Sequence, residues 1–426
     1  MLGIFILNDY VISETIIGLF DLGISLLSQM WILKTLGFIV LVGGIMALIE
    51  SSGGIGGLVD YVQNKKKIVT SKRSALLLSY IIGVLIFVET SITALISGAV
   101  GKAFSKQYKI SNAKIAFVCD STSAPISSLI VFNGYGALLL GLIITQIDSG
   151  MIKGDGVDIL INSLVYNFYA IITLIIVFLS IWFDIDIGPM KNSKYIESSQ
   201  KIVFQKRASK YLMILPIFIM IISVFVFLYI TGDGNILKGS GSSAVFYTML
   251  TTLAFMFVYY LSKKIMDVRT FVVTTYKGSV HLIPIAIVML AAFGISDITG
   301  ELKTGQYLAS FASENLNIYF LASTIFLLSA ITAFATGTSW GTFGIMLPIA
   351  IPIAVSMGVD VPLLIGAVVS GAIFGDHSSP ISDTTIISSL AADCEVVEHV
   401  KTQLPYALIS AFLTIIMFSV VSIYIN

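Results

Sequence analysis

Phe374-Gly-Asp-His-Ser-Ser-Pro-Ile-Ser-Asp-Thr-Thr-Ile-Ile-Ser388 interrupts an otherwise apolar run between Val361 and Leu390. A run of that length crosses a bilayer, for which roughly 20 apolar residues are enough. The interruption places Asp376, Asp383, His377 and several hydroxyls where hydrocarbon is expected. Gly375 and Pro380 both disfavour a regular helix, so backbone carbonyls are expected to come free between them. Free carbonyls and hydroxyls beside a carboxylate form an oxygen-only cage, which suits a hard cation such as Na+. Burial favours the neutral form of any carboxyl, so such a site can carry H+ as well. The helix that resumes after Pro380 points its positive N-terminus at the same place, where it could hold an anion. The spacing therefore predicts a discontinuous transmembrane helix with an ion site at its break.

The rest of the chain agrees with a membrane reading. Of its 426 residues, 57% are hydrophobic and 11% charged, against about 25% charged in a soluble domain. Hydropathy predicts helices at 31–50, 74–88, 115–147 with an interruption, 162–183, 211–231, 243–261, 280–293, 316–335, 343–355, 361–390 with an interruption, and 404–425. Residues 1–30 read as a poor span or a surface helix, and Asp9, Glu14 and Asp21 stand where a cleavable signal would be basic. Cys119 and Cys394 are far apart and fit no metal spacing. The expectation is an all-α polytopic membrane protein without a cofactor, embedded in the lipid bilayer and not directed at nucleic acid.

Nineteen of the 24 Lys and Arg fall in residues 65–73, 102–114, 191–210 and 263–277. The positive-inside rule places these four stretches in the cytoplasm and the basic-poor loops 148–158, 231–241 and 297–314 outside. Residues 74–101 then begin and end on one side, so they must turn back as a re-entrant or broken pair.

Cys119-Asp-Ser-Thr-Ser-Ala-Pro-Ile-Ser127 resembles Gly375-Asp-His-Ser-Ser-Pro-Ile-Ser382, the two Asp standing 256 residues apart. A fainter match pairs Ser52-Gly-Gly54 with Ile298-Thr-Gly300. With the loop assignments above, the two halves are expected to be inverted repeats, each with a re-entrant hairpin and a broken helix. Residues 31–183 form the first repeat, 184–242 a basic cytoplasmic loop with a linking helix, and 243–426 the second.

Acids inside apolar runs are expensive, roughly 2.5 kcal/mol or more each on insertion scales. Five occur, at Glu50, Glu89, Asp120, Asp376 and Asp383. An inter-helix hydrogen bond is the ordinary role for such a group, and Glu50 fits it best. The ion-binding set expected from the breaks is Asp376, Asp383, Ser378, Ser379 and Thr384, with Asp120, Ser121, Thr122 and Ser123 from the first half. Ala335-Thr-Gly-Thr-Ser-Trp-Gly-Thr342 looks like the tip of a second re-entrant hairpin and adds Thr336, Thr338 and Ser339. Glu89 and His377 are candidate proton relays, and Pro125, Gly375, Pro380 and Gly337 candidate helix breaks. His281 and His399 lie near expected membrane ends and read as interfacial.

These motifs carry a family resemblance. Residues 375–389, the following Glu398-His-Val-Lys-Thr-Gln-Leu-Pro-Tyr406, Phe334-Ala-Thr-Gly-Thr-Ser-Trp-Gly-Thr-Phe343 and Asp120-Ser-Thr-Ser-Ala-Pro125 are together similar to the NhaC family of bacterial Na+/H+ antiporters. The resemblance covers roughly residues 30–426. It implies Na+ efflux against H+ influx, a multi-pass protein of the bacterial cytoplasmic membrane, and Na+ and H+ as partners. A homodimer is compatible with it. The competing expectation is Na+- or H+-coupled carriage of a small carboxylate or amino acid, since relatives include such carriers. No Gly-x-Gly-Asp motif supports an intramembrane aspartyl protease, no phosphate loop supports coupling to ATP, and a channel needs neither inverted halves nor titratable acids at both breaks. The chain is thus expected to be a transporter and not an enzyme.

Overall fold

The computed structural model describes residues 2–64, 69–87, 90–131, 133–196, 208–236, 239–302, 307, 310 and 317–425. Every long element in it is an α-helix. The first half holds α1 (Leu2–Leu7), α2 (Ile12–Ser28), α3 (Met30–Ser51), α4 (Gly54–Asn64), α5 (Lys72–Leu85), α6 (Thr90–Tyr108), α7 (Asn112–Ser128), α8 (Gly134–Asp148), α9 (Gly156–Leu164) and α10 (Phe168–Trp182). After the linking α11 (Tyr211–Thr231) come α12 (Gly241–Ser262), α13 (Val268–His281), α14 (Ile283–Glu301), α15 (Leu321–Thr336), α16 (Ser339–Met357), α17 (Val361–Ser378), α18 (Asp383–Ala392) and α19 (Val396–Ile425). Among the described residues, eight segments are long and apolar enough to cross a membrane. The protein is an all-α polytopic membrane protein.

The same order of elements occurs twice: a helical hairpin, then a broken helix, then a further helix. In the first half these are α5–α6, α7 with α8, and α9 with α10. In the second they are α15–α16, α17 with α18, and α19. The first hairpin opens on a capping box at Ser71 and Ser74. Its arms are joined by hydroxyls, Ser79 Oγ donating to the Ser97 carbonyl at 2.7 Å and Ser97 Oγ to the Ser79 carbonyl at 2.9 Å. The second hairpin turns on Gly337, whose φ of 67° lies in the left-handed region that glycine enters without strain.

Several elements differ from the sequence expectation. Pro125 and Gly375 are not at breaks. Both lie inside helices, α7 running to Ser128 and α17 to Ser378, and the chain departs from helix at 129–131 and 379–382. The first break is stabilised by Asn133, which caps α8 through Gly136 N and donates to the Ser127 carbonyl at 2.7 Å. Gly375 serves packing instead: a Cβ there would stand 2.2 Å from the Ala330 carbonyl of α15. Pro380 does lie in the gap between α17 and α18. Residues 162–183, expected as one span, fall in the single apolar segment Gly156–Trp182, whose helix is interrupted at 165–167, where Asn167 Nδ2 donates to Ser128 Oγ at 2.8 Å and holds this bend against α7. The span expected at 280–293 lies in α14 from Ile283 onward, its first residues belonging to the end of α13 at His281 and to Leu282 between the two helices.

One end of the molecule collects the basic segments. Lys72 pairs with Asp184 at 2.8 Å, Lys114 with Asp186 at 2.7 Å, and Lys102 with Asp393 at 3.7 Å. Asn112 Nδ2 donates to the carbonyl of Asp393 at 2.8 Å, and its Oδ1 accepts from Ile196 N. Residues 72, 102–114, 184–196 and 393 thus share one end, as the charge distribution requires of loops on one side of a bilayer.

Candidate functional site

The break between α17 and α18 meets the tip of the α15–α16 hairpin. Ser379 Oγ donates to the Phe334 carbonyl at 2.8 Å, and Gly337 lies against Ile381. This contact brings Ser339, at the start of α16, onto Asp376 near the end of α17. Ser339 Oγ donates to Asp376 Oδ2 at 3.0 Å, and Ser382 Oγ donates to Asp376 Oδ1 at 2.7 Å. A second layer stands behind each serine. Tyr135 OH lies 2.7 Å from Ser339 Oγ, and Thr384 Oγ1 lies 3.0 Å from Ser382 Oγ. With Asp376 ionised, both serine protons are committed to it, so Tyr135 and Thr384 act as donors to the serines.

Asp376 is 1% exposed, too deep for an unpaired charge to be held without cost. Its partners in the structure are hydroxyls. A hydroxyl can rotate its proton away and offer lone pairs, so the same oxygens can face a cation. Ser378 is buried beside this carboxylate in sequence, and its Oγ has no hydrogen-bond partner among the described residues. Asp383 begins α18 and is exposed, its Oδ1 accepting from Thr384 N at 2.8 Å. It lines a pocket with Ser127, Asn133, Tyr135 and Trp340, so it approaches the Asp376 junction from the pocket side.

The first half contributes a second polar centre. Asp120, fully buried in α7, accepts from Gln403 Nε2 at 2.8 Å and lies 3.1 Å from His399 Nε2, both through Oδ2. Ser388 Oγ of α18 donates to its Oδ1 at 3.3 Å. His377 is held on both ring nitrogens, by Tyr169 OH at 2.8 Å and Ser121 Oγ at 2.9 Å. Its Nε2 lies 3.9 Å from Asp120 Oδ2.

The remaining candidates divide clearly. Thr122 and Ser123 bond to carbonyls of their own helix, at Val118 and Asp120. Thr336 does the same at Thr332 and is exposed, so it stands away from the site. Thr338 is half-buried and its carbonyl accepts from Thr342 Oγ1. Glu89 lies outside the described residues. His399 corrects its sequence reading: it is fully buried on Asp120, and not interfacial. It and Gln403 are four apart on α19 and so share a helix face, a spacing that pointed inward. Tyr135, Tyr169, Ser382 and Ser388 also carry the two centres, and the tyrosines have no sequence signal of their own.

A family model described as the Na+/H+ antiporter family matches residues 122–423. Over 406 residues the chain is 32% identical to an uncharacterized protein of Haemophilus influenzae, a match covering 90% of this chain and 77% of that protein. It is 41% identical over 105 residues to a malate-2H(+)/Na(+)-lactate antiporter of Bacillus subtilis, covering 25% of this chain and 22% of the relative. It is 32% identical over 100 residues to the Na(+)/H(+) antiporter NhaC of Alkalihalophilus pseudofirmus, covering 24% of this chain and 21% of the relative. The chain thus matches about a fifth of the length of either of these two antiporters. In fold it is similar to the YdaH transporter of Alcanivorax borkumensis, with a TM-score of 0.65 at 13% identity, over 96% of this chain and 88% of that one.

Proposed function

The chain belongs to the Na+/H+ antiporter family, and on that premise we propose that Asp376 binds Na+ and H+ in turn during exchange. The observation that carries this is the pair of serines on one buried carboxylate, Ser339 from the hairpin tip and Ser382 from the helix break. One group that holds either a proton or a cation, but not both, is sufficient for exchange. The cage gives the dehydrated ion oxygen ligands, and the carboxylate supplies the fixed negative charge that offsets dehydration.

The two sets of hairpin, broken helix and following helix support an inverted pair that exposes the site alternately to each side. The proton gradient across a bacterial cytoplasmic membrane would then drive Na+ outward. A carried carboxylate is less well served. The serines, Tyr135 and Thr384 around Asp376 bring no fixed positive charge, and the buried Lys114 is engaged by Asp186 at 2.7 Å. Proteoliposomes holding the purified chain and a lumenal pH dye test the reading. An imposed Na+ gradient should drive opposing H+ flux, and Asp376→Asn should abolish it while the protein stays folded in the membrane. Full exchange by Asp376→Asn, or H+ flux driven by malate or lactate and not by Na+, would overturn it.

A further inference from the structure

A cavity of about 570 Å3 lies between the ends of α2, α8 and α14 and the start of α3, and shares no residue with the site at Asp376. Asp297 and Glu301 line it from α14, one helical turn apart and so on one face. Among the described residues neither carboxylate has an ion pair or a hydrogen bond. Gln146 of α8 lines the same cavity. It is 4% exposed, and its side-chain amide has no hydrogen-bond partner among the described residues. A polar group buried that deeply is ordinarily bonded, so one left unpaired at a cavity wall is free to bond an occupant. The other polar groups of the wall have committed their protons. Trp31 Nε1 donates to Gln29 Oε1 at 3.0 Å, Thr145 Oγ1 to the Gly141 carbonyl at 3.0 Å, and Ser149 Oγ to the Gln146 carbonyl at 3.0 Å. The wall therefore offers mainly acceptors.

No base answers the two acids. Among the described residues that line the cavity there is no Lys, Arg or His. Lys34, one turn along α3 from Trp31, is engaged elsewhere and donates to Ser243 Oγ at 2.8 Å. The occupant that fits is a cation bringing its own donors. At ~30 Å3 per water the space would hold roughly twenty waters, far wider than the cage of a dehydrated metal ion. A hard divalent ion takes about six oxygen ligands, and among the described residues no group of three or more His, Cys, Asp or Glu stands together to hold one. The cavity also has an apolar side. Leu26 and Ile32 line it beside Trp31 and Phe293, whose rings meet edge to face with centroids 4.9 Å apart. Trp attracts a cation over its ring more strongly than any other side chain, and a cavity of this size suits a small organic ligand. A primary ammonium carries three N–H donors. They match two carboxylates and one amide oxygen, while an attached apolar body fits the aromatic side.

We propose that this cavity binds a small organic ammonium cation, its head group on Asp297, Glu301 and Gln146 and its apolar body against Trp31 and Phe293. The basic-poor loops 148–158 and 297–314 adjoin it, so the ligand enters from outside. The site stands whether or not Asp376 exchanges Na+ for H+. It is tested by isothermal titration of the purified full chain with phenethylammonium chloride at fixed pH and Na+ concentration. Saturable binding to one site is expected. Asp297→Asn and Glu301→Gln should each weaken it by about tenfold or more, the loss of one hydrogen bond between charged groups. The neutral isostere 2-phenylethanol should show no saturable binding. Methylammonium, which lacks the apolar body, should bind about tenfold or more weakly. Asp376→Asn should bind phenethylammonium with unchanged affinity, which separates this cavity from the exchange site. Absent saturable binding, unchanged affinity in both acid variants, or equal binding of 2-phenylethanol would overturn the site. Methylammonium or Mg2+ binding as tightly as phenethylammonium would overturn the organic class and leave a vestibule for hydrated cations. Lost binding in Asp376→Asn would move the ligand to the exchange site. Labelling of Ser149→Cys by an impermeant thiol reagent outside cells should slow when phenethylammonium is added, and labelling from inside alone would overturn entry from outside.

Discussion

At the residue scale, the account depends on what holds Asp376. Ser339 and Ser382 each give one hydrogen bond to a buried carboxylate, and a bond to a charged group contributes about 1.5–3 kcal/mol. Ser339→Ala should therefore raise the apparent KM for Na+ by about tenfold or more, 1.4 kcal/mol being tenfold. Tyr135→Phe acts one bond further out and should have a smaller effect in the same direction. Initial rates of Na+-driven H+ flux against Na+ concentration check both, and an unchanged KM in Ser339→Ala would remove the hairpin tip from the site. The sequence made Asp376, Asp383 and Ser339 visible, because acids and hydroxyls in apolar runs are costly and so conspicuous. His399 was hidden for the opposite reason. It stands at the end of a span, where a polar residue is cheap, and its buried face is seen only when α7 is packed against α19.

At the scale of the element, Gly, Pro and Ser/Thr clusters marked where helices turn, and two of the four marks mislead, each for its own physical reason. The run from Asp120 to Ser128 looks like a break. Its hydroxyls instead bond back to carbonyls within the helix, as Thr122 does to Val118, Ser123 to Asp120 and Ser128 to Pro125. A Ser/Thr-rich stretch satisfied in this way has no need to unwind. The other misleading mark, Gly375, is explained by helix contact. Gly375→Ala would place a methyl 2.2 Å from the Ala330 carbonyl, forcing α15 and α17 apart at a cost of about 1–3 kcal/mol. Thermal unfolding of the purified protein in detergent should show a lowered Tm, with Na+-driven flux reduced in parallel. An unchanged Tm would mean that the two helices are not in close register.

At the scale of the whole molecule, the joining of Lys72, Lys102 and Lys114 to Asp184, Asp186 and Asp393 gives three of the four basic segments a common end. Cysteines placed at Lys106 and Lys263 should be shielded from an impermeant thiol reagent applied outside cells, and cysteines at Asp155 and Glu301 should be labelled. External labelling at residue 106 would contradict both the hairpin α5–α6 and the inverted arrangement of the two halves. The expectation of a repeat came from the Pro-Ile-Ser motifs, since each half carries one. The way the halves meet was not, because it depends on pairings such as Asp120 with His399 across 279 residues. The central claim is that one carboxylate serves both ions, and Na+ affinity measured against pH tests it most directly. The apparent affinity of the unmutated protein should fall at least tenfold per pH unit once the pH is low enough for the site to hold its proton, each bound Na+ displacing at least one. A Na+ affinity independent of pH across the active range, with Asp376→Asn still exchanging, would contradict it.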